Sequence, residues 1–161
     1  MDLEMRPNTM EEFPTLKRTN ARAHGKHYTE TDLEIFKILF QPERSLAVFD
    51  RGAIVGNITS YPGEMTVPGG KAPMAAVAQV GVQQTHRRRG ILTTMMKRQL
   101  RDIHGWGEPL ASLESSEGAI YGRFGYGAAI PVEDWTIERH RAAFERRRDP
   151  DGRLRFVEVD E

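Results

Sequence analysis

The chain contains no cysteine. Disulfides, a thiolate nucleophile and cysteine-ligated zinc are all excluded. It also lacks an excess of charge of either sign, since 23 basic residues balance 23 acidic ones for a formal net charge of zero. A general nucleic-acid or membrane-surface binder carries a one-sided excess, so the balance argues against both. No apolar run is long enough to span a bilayer, and the N-terminus has no hydrophobic signal core. A soluble cytoplasmic protein is the default expectation, with export lacking a signal peptide left open. Internal repeats and low-complexity segments are missing too. The 161 residues, 18.3 kDa, suffice for one domain, 1–161, with a full hydrophobic core.

Strand and helix patterns alternate along the chain. Leu3 to Met5 fits a short first strand. Thr9-Met10-Glu11-Glu12 fits a capping box ahead of a helix through Phe13, Leu16 and Lys17, and Thr31 with Glu34 repeats that signature before a second helix ended near Pro42. Ser45 to Phe49 reads as a strand, and Asp50-Arg51-Gly52 as a hairpin turn into a strand from Ile54 to Tyr61. Pro62-Gly63 and Pro68-Gly69-Gly70 read as breaks. Ala75 to Val82 is apolar and β-branched enough for a central strand. After it, Ile91, Leu92, Met95, Met96, Leu100 and Ile103 share one helical face, while Lys97, Arg98 and Arg101 point away. Gly105 to Pro109 ends that helix. Leu110 to Leu113 is predicted as a strand, Gly118 to Arg123 as a short helix, Val132 to Ile137 as a strand, Arg146 to Gly152 as a polar turn and Leu154 to Val159 as a last strand. Helices mixed with strands around a central strand–helix unit predict an α/β domain.

The most informative stretch runs from Val80 to Leu92. It passes from a buried strand through His86-Arg87-Arg88-Arg89-Gly90 into the amphipathic helix. A helix start leaves backbone N–H groups without partners and aims them at whatever lies beyond the strand, and the arginines add charge at that spot. Three readings apply: a solvated charge cluster, a nucleic-acid patch, or a cradle for a phosphate group. The neutral total charge and the lack of interleaved aromatics weaken the second. Position between a strand and a helix start favours the third.

A second constellation is Ser115-Ser116-Glu117-Gly118-Ala119-Ile120-Tyr121-Gly122-Arg123-Phe124-Gly125-Tyr126-Gly127. Its glycines allow tight turns and close backbone approach. Tyr121, Phe124 and Tyr126 fit either as core anchors or, for a tyrosine facing a cleft, as a proton donor.

Together these two blocks resemble the GCN5-related N-acetyltransferases (GNAT). That family carries Gln/Arg-x-x-Gly-x-Gly/Ala after a central strand and Tyr-x-x-x-Gly-Phe/Tyr further on. Arg87-Arg88-Arg89-Gly90 supplies the first half here, and Tyr121-Gly122-Arg123-Phe124-Gly125-Tyr126 the second. The fuller strings look more narrowly like the Eis (enhanced intracellular survival) group of actinobacterial acetyltransferases. The resemblance is close from about Ala75 to Phe144 and faint before that. Leu92 departs from the general motif's third small residue, a substitution the Eis-like group shares. Eis-like proteins are more than twice this length, so the chain corresponds to a single-domain relative or to the N-terminal domain of a longer protein.

The resemblance implies a GNAT fold: a mixed, mostly antiparallel sheet with a splayed strand pair and flanking helices. It implies acetyl-CoA as donor, no metal, and a primary amine as acceptor, of the aminoglycoside, lysine side-chain or polyamine class. Neither nucleic acid nor membrane is implied as a partner, and self-association is left open. Backbone of Val80, Gly81 and Val82 would hold the pantetheine arm. N–H groups from Arg88 through Thr93, hence Arg89, Gly90, Ile91 and Leu92 as well, would take the pyrophosphate, with charge added by Arg87 and Arg88. Ser116 and Glu117 would contact the far side of the cofactor. Tyr121 occupies the family's general-acid position, with Tyr126 the second choice. The base is open, with His24, Glu30 or Glu64 acting through water as stand-ins. The alternative function is a CoA-binding module that needs further domains to become catalytic.

Overall fold

Strands two to four take their positions from period-two alternation. In Ser45–Asp50, Leu46 and Val48 enter one apolar cluster while Ala47 and Phe49 enter another, so the strand must be covered on both faces. A computed structural model describes residues 3–143, 146, 152–153 and 155–157. The elements, in chain order, are β1 (Leu3–Pro7), α1 (Phe13–Ala23), α2 (Glu30–Ile38), β2 (Ser45–Asp50), β3 (Ala53–Val67), β4 (Gly70–Val82), α3 (Ile91–Gly105) and β5 (Leu110–Leu113). Their sheet has the order β1-β2-β3-β4-β5. The first three pairings are antiparallel and β4–β5 is parallel, reached by the α3 crossover. This is the α/β architecture that the residue patterns predict and the mixed, mostly antiparallel sheet that the resemblance implies.

Helix α3 covers one face. Ile91, Met95, Met96 and Ile103 pack on Leu46, Val48, Val55, Ile58, Ala75 and Val77. Helix α1 covers the other, where Phe13 and Leu16 meet Phe40, Ala47, Phe49 and Ile54. Fully burying one such side chain is worth about 1.5–3 kcal/mol. At Gly56 β3 and α3 approach closely, since a Cβ there would lie 2.9 Å from Ile91 Cγ2. Residues cluster into two compact units, Met1–Gly127 and Ala128–Glu161. The whole sheet lies in the first.

Several local expectations need correction. The second helix is capped by Thr29 and Asp32, not by Thr31 and Glu34: Thr29 is extended, its hydroxyl accepts from the Asp32 N–H, and Asp32 accepts from the Thr29 N–H. Thr31 already lies in the first helical turn. Pro62-Gly63 is no break, because both residues continue β3 opposite Ala75 and Met74. The turn comes at Pro68-Gly69, where Gly69 has φ +89°. Beyond β5's reach this hairpin is a two-stranded arm, with Glu64–Thr66 exposed and, among the described residues, paired only to β4. The predicted helix from Gly118 to Arg123 is a turn followed by a single 3-10 turn at Gly122–Phe124. A glycine at each end of so short a segment gives it little helical propensity.

In the second unit, Val132 to Ile137 is not a strand. Val132, Trp135 and Ile137 are exposed and pair with no neighbour among the described residues, and a strand without a ladder has nothing to hold it. One 3-10 turn, Arg139–Arg141, is present. The predicted turn from Arg146 to Gly152 and strand from Leu154 to Val159 lie largely outside the described residues. Arg155, Phe156 and Val157 carry no regular structure.

Candidate functional site

The site starts from an irregularity in β4. Gln79 has left-handed backbone, φ +56°, and the register of β3 with β4 shifts between Asn57 and Thr59. Such a bulge twists and redirects the strand that carries it. A left-handed non-glycine residue costs roughly 1–2 kcal/mol, and neighbouring side chains hold it in place here. Asn57 donates to the Gln79 carbonyl at 2.6 Å, and Asn20 from α1 donates to the same oxygen at 2.9 Å. Both asparagines are buried. Gln83 adds another tie by donating to the Thr19 carbonyl at 2.7 Å. Gly81 fits between them, because a Cβ would lie 3.0 Å from Asn20 Nδ2 and 3.3 Å from both Ala23 Cβ and Asn57 Oδ1.

The bulge coincides with a parting of strands. Pairing of β4 with β5 ends at Val77–Leu113, while β4 runs on through Val80, Gly81 and Val82. Among the described residues no strand covers that side of β4, so backbone groups on the open side are free for a ligand.

Helix α3 begins at the far end of this opening. Gly90 is its N-cap, with φ +79°, and no side chain caps it. The first intrahelical bond is Thr94 N–H to Gly90 carbonyl, 3.0 Å. The N–H groups of Ile91, Leu92 and Thr93 therefore have no intrahelical acceptor, and the first turn holds no acidic side chain to compete for them. Arg88 also has left-handed backbone, φ +61°. Left-handed residues at alternate positions gather N–H groups into a concavity that suits an anion. Arg87 and Arg88 are exposed, and neither side chain has a partner among the described residues. Arg89 is exposed but engaged.

Tyr121, Val80, Val82, Leu92, Phe124 and Tyr126 all pack against the cluster that contains Ile91. The phenol therefore shares its support with the open strand and the helix start. Its ring meets Tyr126 edge-on at 6.0 Å. Burial, and next the Glu117 charge, push the Tyr121 hydroxyl above its ordinary pKa. Burial pushes Tyr126 up to about 12, and its hydroxyl is buried without a partner. Ser116 and Glu117 lie exposed on the loop after β5. The suggested stand-in bases have other engagements. His24 Nδ1 contacts the Asn20 carbonyl at 2.9 Å, while Glu30 pairs with Arg18 and Glu64 with Lys71 at the surface.

The arrangement offers unpaired N–H groups that suit an anion at the start of α3, and a weakly acidic hydroxyl on Tyr121. A family model described as an acetyltransferase (GNAT) domain matches residues 4–129. The chain belongs to the GNAT acetyltransferases. Among its GNAT relatives, an uncharacterized N-acetyltransferase of Streptomyces coelicolor is 48% identical over 135 residues, which is 80% of this chain and 33% of the relative. The N-acetyltransferase Eis of Mycobacterium tuberculosis is 47% identical over 81 residues, 50% of this chain and 20% of Eis. The crystal structure of Eis1 from Mycobacterium abscessus superposes with a TM-score of 0.69 at 41% identity, covering 78% of this chain and 31% of Eis1. The chain thus spans about a third or less of the length of these relatives. A predicted acetyltransferase from Clostridium acetobutylicum, solved with acetyl-CoA, shares the GNAT fold with a TM-score of 0.71 at 13% identity, covering 84% of this chain and 96% of that one.

Sequence reasoning missed Asn20, Asn57 and Gln79. Asn20 did carry a signal, being an amide on the inward face of an amphipathic helix beside Leu16. Gln79 carried none, since nothing in its neighbours announces a bulge.

Proposed function

We propose that this chain is an acetyl-CoA-binding GNAT domain of the Eis-like kind that transfers an acetyl group to a primary amine. The observation that carries the reading is the uncapped start of α3, with the N–H groups of Ile91 to Thr93 unpaired at the mouth of a parted strand pair. A diphosphate matches such a site in charge and in acceptor number. The Clostridium relative of the same fold is described with acetyl-CoA, which supports that donor.

On this reading Arg88 to Thr93 hold the diphosphate, and Arg87 adds charge. Val80, Gly81 and Val82 offer backbone to the pantetheine arm, and Ser116 and Glu117 contact it from the far side. Backbone N–H on the open side of β4 stabilises the oxygen of the thioester carbonyl as the amine nitrogen attacks its carbon. The intermediate collapses with cleavage of the C–S bond, and the thiolate leaves. Tyr121 supplies a hydrogen bond or a proton to that sulfur. A phenol above its ordinary pKa of about 10 is a reluctant donor to a thiolate of about 8.5, so hydrogen-bond stabilisation outweighs full transfer. The amine must lose a proton, and an ammonium of about 10.4 costs roughly 4–5 kcal/mol to deprotonate at neutral pH. Aminoglycosides, lysine side chains and polyamines are the acceptor classes to be tried.

The test joins two measurements: the melting temperature with and without acetyl-CoA, and thiol release with a panel of amines. Stabilisation with turnover that falls at least tenfold in Tyr121→Phe supports the enzyme. Stabilisation without turnover supports a CoA-binding module completed by further domains. Absence of both effects would remove the reading altogether.

A further inference from the structure

His86 precedes the arginine turn, and both nitrogens of its ring are engaged. Nε2 lies 3.1 Å from Asp50 Oδ2, and Nδ1 lies 2.8 Å from Thr85 Oγ1. Asp50 ends β2 and opens the β2–β3 hairpin, 36 positions earlier in the chain. Its side chain is 9% exposed, and that of His86 16%. Asp50 is a rigid anchor. It is paired across to β1 through Leu3 and to β3 through Ala53, and its turn closes through left-handed Arg51 and Gly52. The second carboxylate oxygen, Oδ1, is buried with no hydrogen bond, 3.7 Å from Arg51 Nε. The carboxylate therefore spends its one strong interaction on His86.

The segment that His86 fixes has other, looser ties: Gln84 Nε2 donates to the Arg22 and Ala23 carbonyls at 3.4 Å, and Arg89 is engaged further along. After Val82, one 3-10 turn at Gln84–His86 is closed by His86 N–H to the Gln83 carbonyl at 2.8 Å. Arg87 N–H reaches the Gln84 carbonyl only at 3.5 Å. From there to Gly90 the backbone must hold a left-handed Arg88, a conformation that persists only when its surroundings enforce it. Fixed at the α3 end by the helix, the turn is fixed at the β4 end by the imidazole.

We propose that His86 is a positioning residue for the cofactor's diphosphate: the Asp50–His86–Thr85 chain ties the arginine turn to the β2–β3 hairpin and sets its N–H groups toward the anion. This rests on the acetyl-CoA reading above. It assigns His86 no contact with the reacting atoms. Its effect falls on the part of the donor that carries the diphosphate and spares the part that carries the thioester.

Two donors separate these parts. Acetyl-CoA has the diphosphate, and S-acetylpantetheine lacks it. Binding of each is measured on the full chain, wild type and variants, beside the melting temperature. In His86→Ala, affinity for acetyl-CoA falls about tenfold, the scale of one lost hydrogen bond to a charged partner, while affinity for S-acetylpantetheine stays within about twofold. Asp50→Asn gives a similar selective loss, and the double variant is no worse than the weaker single. His86→Gln, which keeps an N–H donor near Asp50, recovers part of the affinity. Unchanged acetyl-CoA binding in His86→Ala overturns the inference. So does an equal loss of both donors together with a lower melting temperature, which marks a purely structural residue. Wild-type protein that binds neither donor overturns the acetyl-CoA reading itself, and this inference with it.

Discussion

The Gln79 carbonyl accepts from two buried amides, and that duplication makes a quantitative prediction. Asn20→Ala removes one donor, at 2.9 Å, and leaves the Asn57 bond of 2.6 Å in place. A net hydrogen bond is worth about 1 kcal/mol, and alanine in a helix interior returns about 0.5 kcal/mol over asparagine. The single variant should therefore lose only about 0.5 kcal/mol. Asn57→Ala has no helix propensity to recover and should lose about 1–2 kcal/mol, with its small cavity included. Removing both leaves a half-buried carbonyl with no side-chain donor, which costs about 1–3 kcal/mol in place of a second ordinary bond. The double variant should then exceed the sum of the singles, by up to about 2 kcal/mol. Urea denaturation measures this directly. In a protein of this size each kcal/mol also lowers the melting temperature by about 2–4 °C. Losses that add to within about 0.5 kcal/mol would show that the two amides do not share the bulge between them.

Further predictions concern neighbouring features. Gly81→Ala drives a methyl against Asn20, Ala23 and Asn57 and should destabilise by about 1–3 kcal/mol in the same denaturation assay. A loss under about 0.5 kcal/mol would mean that α1 yields freely. Lys17 is buried, with its ammonium 4.0 Å from the Phe36 ring centroid, and burial lowers its pKa to about 8. Between about pH 8 and 10.5 the unfolded chain binds this proton and the folded chain does not, so stability should rise with pH across that window. Lys17→Met should therefore stabilise the protein at pH 7, by up to about 3 kcal/mol less about 1 kcal/mol of lost cation–π attraction. An advantage that fails to shrink by pH 10 would contradict this. The hydrogen bond from His86, foremost among the causes, holds the Asp50 carboxyl below its ordinary range. Its contribution is complete above about pH 3.9 and is lost as pH falls through the lowered value. His86→Ala should shift acid unfolding to higher pH, and an unmoved midpoint would refute the pairing.

Local chemistry made much of this fold legible from the residues. The hairpin turn at Asp50-Arg51-Gly52, the α3 face of Ile91, Met95, Met96 and Ile103, and the strand–turn–helix junction at Arg87 to Gly90 all follow from rules acting over a few positions. Errors arose where the deciding partner was distant. Pro62-Gly63 looks like a break until β3 aligns with β4 from Gly56 to Val67. Val132 to Ile137 has strand composition but no strand to join among the described residues. The contest between Thr29 and Thr31 for the cap of α2 turned on one residue of backbone geometry. At the site, the arginine turn and Tyr121 stood out because charge and aromatic spacing are visible in one dimension. The bulge at Gln79 did not, because two asparagines 37 positions apart enforce it from outside the strand.

The outer part of the β3–β4 hairpin is joined to the rest of the sheet only at its base. Its amides are held by each other and by little apolar cover, so they should trade hydrogen for deuterium long before those of β2, without any global opening. The tip at Pro68-Gly69 is also the natural place for a protease to nick the chain. Both fragments would then stay associated through the inner β3–β4 ladder and through α3 packed on β2 and β3, so the cut polypeptide should still elute as one species.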